Sequence, residues 1–190
     1  MIKKWPKMIL LGKLFIIILV IMGSAAPAEA DCGKAKNSSR TVVAGGSITE
    51  TIFLLKKSNL LAGVDVTSNF PEEAKALPSI GYIRNLSVEG ILSLEPTLIL
   101  AEADVGPKHV VKQLRGADLD FRIIDTEYSL SGIRAKINCV AQILNVAPIE
   151  TEFLVNKIKK QSDALKASTS KSAENKSSAV FVLMMRGTEP

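Results

Sequence analysis

Residues 41–66 read TVVAGGSITETIFLLKKSNLLAGVDV. Two short apolar runs, 41–44 and 61–66, flank a segment in which Ile48, Ile52, Phe53 and Leu55 mark out one helix face. A short, mainly apolar run suits a strand buried on both faces, and the 3.6-residue period suits a helix packed against it. Gly45-Gly46 makes the turn into the helix, and Ser47 with Glu50 three residues later fits a capping box. Strand, helix and strand at this spacing form a parallel unit with a right-handed crossover.

The alternation continues outward. Residues 70–71 (Phe-Pro) open a loop and a short helical turn, and 87–94 form a short helix stopped by Pro96. A buried strand is expected at 97–101, a helix at 107–116 with Pro107 in its first turn, a strand at 121–125 and an amphipathic helix at 130–144. The fold class is therefore α/β, with a parallel sheet and flanking helices over residues 31–147. A lysine-rich helix at 149–166 follows, with Phe153, Leu154, Ile158 and Leu165 on one side, then a Ser/Lys/Ala-rich linker at 167–178. Residues 148–178 thus read as a connecting helix and linker. The run AVFVLMM at 179–185 reads as the first strand of a second lobe, assigned to 179–190. A strand of this kind needs neighbours on both edges. The reading is a two-lobed protein cut short.

The first thirty residues have a different logic. Lys3, Lys4, Lys7 and Lys13 precede or interrupt an apolar stretch that ends in LFIIILVIM, followed by GSAAPAEA. These are the three regions of a cleavable secretory signal, with cleavage expected after Ala30. Nine apolar residues after Lys13 are fewer than the roughly 20 a spanning helix needs. The whole chain holds 24 Lys and Arg against 19 Asp and Glu, a net of +5. Taking away the four Lys and one Glu of residues 1–30 lowers that net to +2. The basic excess belongs mostly to export, and nucleic-acid binding loses its support. Export places Cys32 and Cys139 in an oxidising compartment, where they either pair or leave Cys139 as a buried thiol in its apolar helical run.

Little in the sequence supports catalysis. There is one His, His109, near a helix start where a solvated surface role is the default, and there is no G-x-S-x-G elbow. A single His argues against a zinc-type receptor and against His-based acid–base chemistry. Gly45-Gly46-Ser47 lacks the spacing of a dinucleotide fingerprint or a phosphate loop, so a tight turn is the simpler reading. The informative stretch is 77–100, LPSIGYIRNLSVEGILSLEPTLIL. Tyr82 and Arg84 fall in a loop between two α/β units, at the edge where such folds bind ligands. A phenolate suits a hard ferric ion. A guanidinium two residues on can hydrogen-bond that phenolate or pair with a carboxylate. Read alone, Tyr82 is more simply a ring packed on a loop.

These residues resemble the periplasmic haemin-binding proteins of bacterial ABC importers, in the substrate-binding family with a long helical backbone that also carries cobalamin and ferric siderophores. The resemblance runs from about Arg40 to Pro190. It rests on RTVVAGGSITETIFLL, on GVDVTSNFPEEAKALPSIGYIRNLSVEGILSLEPTLIL and on the Gly106-Pro107 helix start. The pattern Val-Glu-x-Ile-x-x-Leu-x-Pro-x-Leu-Ile at 88–99 marks the broad family, and Gly81-Tyr82-x-Arg84 points to its haemin branch. The resemblance implies haem as a transported ligand held between two lobes, with Tyr82 as axial iron ligand and Arg84 supporting it. It implies Glu89 as a docking residue for the ABC importer permease, periplasmic localisation, an outer-membrane haem receptor upstream and no enzyme activity. A ferric siderophore or cobalamin on the same fold is the nearest alternative. Others are a non-functional fragment and a small secreted α/β enzyme, which would need a base and a nucleophile that the sequence does not offer.

Overall fold

The computed structural model describes residues 32–125 and 127–170, so the export signal read at 1–30 and the strand read at 179–185 lie outside the described residues. Four strands form one sheet: β1 (Thr41–Ala44), β2 (Leu61–Val64), β3 (Leu98–Glu102) and β4 (Asp120–Ile124). Its order is β2-β1-β3-β4, and all three pairings are parallel. Each strand after β1 is reached by a crossover: α1 (Gly46–Leu54) leads to β2, α2 (Val88–Leu92) to β3 and α3 (Lys108–Gly116) to β4. Helices α4 (Leu130–Ile143) and α5 (Pro148–Ser170) follow.

The strands are apolar on both sides because both faces are covered. Every residue of β1 is buried, as are the first four of β3. Val42, Ala44, Ile99 and Ala101 turn to one face and pack with Ile80, Ile83 and Leu86, with Ile91 of α2 and with Val110 and Leu114 of α3. On the other side α1 meets β1 and β3 and packs on α4, which in turn carries α5. No helix among the described residues is long and apolar enough to cross a membrane.

The elements depart from the expected ones in instructive places. The helix after β1 starts at Gly46 with Gly45 at its cap, and no side chain of its own caps it, so Ser47 and Glu50 form no capping box. Instead the Glu102 carboxylate arrives from the end of β3. Its Oε1 accepts from the Ser47 amide at 3.1 Å and from the Ser47 hydroxyl at 2.6 Å. Gly45 has φ +143, and a Cβ there would lie 2.5 Å from Glu102 Cγ, so only glycine fits this turn. Strand β2 stops at Val64 because Asp65, 1% exposed, turns inward. Its Oδ1 accepts from the Gly45 amide and the Ser68 hydroxyl, and its Oδ2 from the amide and hydroxyl of Thr67. Helix α5 runs on to Ser170, so the residues 167–170 read as linker are helical.

Cys32 and Cys139 form a disulfide with a Cα–Cα distance of 4.8 Å, which settles the choice between a bond and a buried thiol. Beside it, Arg122 of edge strand β4 makes two hydrogen bonds to Asp120, at 2.6 and 2.7 Å, and a third to the Gly33 carbonyl.

Candidate functional site

The sheet sets the place of the site. The chain leaves β1 toward β2 on one side and returns to put β3 on the other. The crevice at the C-terminal ends of β1 and β3 is therefore the topological switch point where open α/β sheets bind ligands. The Gly45-Gly46-Ser47 turn lies there, but the Gly45 and Ser47 amides already bond Asp65 and Glu102. The tight-turn reading holds. Lys136 of α4 completes this corner, donating to the Ser47 hydroxyl with its ammonium 3.9 Å from Glu102.

The Tyr82–Arg84 loop stands on the same edge, held by its backbone. The Val66 amide donates to the Gly81 carbonyl at 2.9 Å, and the Gly106 amide donates to the Ile83 carbonyl at 2.9 Å. The Leu86 amide donates to the Gly106 carbonyl at 3.0 Å. Gly81 takes φ +88, a conformation that favours glycine. Ile83 and Leu86 are buried in the core, and the alternation sends Tyr82 and Arg84 outward. Tyr82 is 46% exposed.

Arg84 does not turn to Tyr82 in this structure. Its Nε and Nη2 both donate to Asp104 Oδ2, at 3.0 and 2.8 Å, so of its two expected roles it takes the pairing with a carboxylate. The guanidinium pKa is raised above its ordinary value. The hydrogen bond to Asp104 is the main cause, followed by the charge Tyr82 takes on when it ionises, the Asp104 charge and that of Tyr128. The loop thus presents an accessible phenol beside a fixed cation, an arrangement that favours an anionic oxygen donor or a ligand carboxylate.

Glu89 lies apart from this pair, exposed in the first turn of α2, where the Ser87 hydroxyl accepts from the Gly90 amide. His109 is exposed at the start of α3, as expected.

Several residues of the edge were not singled out in the sequence. Val66 (56% exposed) and Phe70 (65%) stand on the loop after β2, and Tyr128 (110%) on the loop after β4. Asp104, which holds Arg84, follows β3. Nothing periodic marks such residues. Large side chains in the loops that follow the strands would have been the signal, since those loops build the binding edge. A cavity of about 620 Å³ opens beside the loop. Asp104 and Tyr128 line it, with Leu54, Ile124, Ile133, Ile137 and Ile158 among its apolar lining. Among the described residues no group of three or more His, Cys, Asp and Glu is placed to hold a metal ion. An iron already held by a macrocycle would need only an axial donor from the protein.

Comparison with known proteins places the chain's fold in one family. A family model described as "Periplasmic binding protein" matches residues 42–187. The solved structure of the periplasmic heme-binding protein RhuT from Roseiflexus sp. RS-1 is 40% identical with a TM-score of 0.63, covering 67% of this chain and 49% of that one. The periplasmic heme-binding protein HutB of Vibrio cholerae is 34% identical with a TM-score of 0.63, covering 69% of this chain and 50% of that one. A vitamin B12-binding protein of Pectobacterium atrosepticum is 25% identical over 142 residues, which are 75% of this chain and 50% of that protein. The chain spans about half the length of these relatives.

Proposed function

Since the chain belongs to the periplasmic binding protein family, we propose that it captures ferric haem in the periplasm and passes it to the permease of an ABC importer. The observation that carries this reading is the exposed Tyr82 phenol beside an Arg84 held by Asp104, on the binding edge of the sheet. A phenolate is a hard donor that suits ferric iron, and a fixed guanidinium beside it would stabilise the negative charge. Val66 and Phe70 supply exposed apolar surface next to the loop, suited to a flat macrocycle. Heme-binding proteins at 40% and 34% identity support this reading, while vitamin B12-binding proteins of Yersinia pseudotuberculosis reach 31% over 98 residues and keep the corrinoid reading in play. In this reading residues 1–30 are the export signal, 31–147 the ligand-binding lobe and 148–178 a connecting helix and linker. Residues 179–190 begin a further lobe. In this reading capture forms one coordinate bond, from the Tyr82 oxygen to the haem iron, and leaves the macrocycle chemically unchanged.

A second reading keeps the fold and takes a corrinoid, supported by the vitamin B12-binding relative. The two readings separate in an absorbance titration of the chain with haemin and with cyanocobalamin. Haem capture predicts saturable haemin binding with an iron–phenolate band, and loss of that band with at least about tenfold weaker binding in Tyr82→Phe. Preference for cyanocobalamin, or an unchanged haemin spectrum in Tyr82→Phe, would overturn it.

A further inference from the structure

We propose that Tyr128 is a second contact residue for the same ligand, its ring forming a wall against the macrocycle. The inference rests on the haem reading above and adds a residue to it. Tyr82 and Tyr128 are the two tyrosines of the chain, and both stand in loops at the C-terminal edge of the sheet. Asp104 connects them: it bonds Arg84, two residues from Tyr82, and lines the cavity that Tyr128 also lines. Asp104 thus lies between the Tyr82 loop and the cavity that Tyr128 lines. Tyr128 is fully exposed, and no hydrogen bond to its hydroxyl is formed within the described residues. A large ring held clear of the surface gains nothing from the fold, and it gains area only when something covers it.

The surroundings select what that contact is. Glu102, Asp104, Asp125 and Glu127 line the same cavity, with Lys136 already engaged by Ser47 and Glu102. Lys136 and Arg84 offset Glu102 and Asp104, but Glu50, Asp125 and Glu127 leave the cavity net acidic, so a ligand carboxylate is favoured beside Arg84 and repelled from the cavity itself. The ligand surface that enters is the uncharged one, with its acidic groups directed away, so the ring of Tyr128 makes the contact and its oxygen is not an iron ligand.

The test is a haemin titration of the full chain and its Tyr128 variants, with Tyr82→Phe as reference. Tyr128→Ala is expected to bind haemin about tenfold more weakly, the size of one lost aromatic contact. Tyr128→Phe should bind within about threefold of the parent, because the ring is retained. Both should keep the iron–phenolate band that Tyr82→Phe removes. A fully exposed ring contributes little to the fold, so urea midpoints should not move and lost affinity is not unfolding. Unchanged binding in Tyr128→Ala, equal losses in both variants, or loss of the band in a Tyr128 variant overturns the inference while leaving haem capture standing. Absence of haemin binding by the parent chain overturns both.

Discussion

At the scale of single residues, Asp65 does more to shape the binding edge than the exposed residues around it. Its carboxylate is buried, accepts four hydrogen bonds and holds the end of β2 to the start of α1. Thr49 joins through its hydroxyl, 2.8 Å from that of Ser68. Removing a charged acceptor from such a network strands its donors. Asp65→Ala is expected to destabilise the fold by about 3 kcal/mol, seen as a lower urea midpoint at unchanged slope. An effect below about 1 kcal/mol would mean that water replaces the carboxylate. The Arg84–Asp104 pair lies at the other extreme. Its side chains are 63% and 45% exposed, so it serves to aim the guanidinium and adds little stability. The difference also explains what was readable in advance. Tyr82 and Arg84 stood out as chemical types in a recognisable pattern. The partners of Ser47 and Arg84 did not, because Glu102 and Asp104 lie 55 and 20 residues away in the chain.

At the scale of elements, the strands and helices were legible because burial imposes the periodicity that composition displays. β1 falls at the expected residues, and β3 and β4 are shifted by one. The errors cluster at ends, where a distant side chain decides. The start of α1 depends on Glu102 and the end of β2 on Asp65, and neither is a local signal. The disulfide is the same kind of fact, since pairing of Cys32 with Cys139 depends on where α4 packs. It closes a loop with a sequence separation of 107. A loop-entropy account gives about 4–5 kcal/mol for a link of this span. Cys32→Ser with Cys139→Ser, or the parent under a reductant, is expected to lose stability of that order in urea unfolding. A loss below about 1 kcal/mol would show that α4 is held by packing alone.

At the scale of the whole molecule, the proposed capture at Tyr82 and a proposed permease docking at Glu89 would occupy different surfaces. Tyr82 and Arg84 face the binding edge, and Glu89 stands exposed on α2. An exposed carboxylate that guides docking acts mainly on the association rate and is screened by salt. Glu89→Lys is expected to leave haemin affinity within about twofold and to slow association with the permease about tenfold at low salt, with the difference shrinking as salt rises. Equal association rates of parent and variant would remove Glu89 from the docking face. The disulfide also has a consequence in time. A chain emerges from its N-terminus, so Cys32 is among the first described residues to appear and must wait for Cys139. By then the residues of β1 to β4 have all been released, so the link can join only after every strand of the sheet is available to pair. It ties the start of the described chain to a helix that follows the whole sheet.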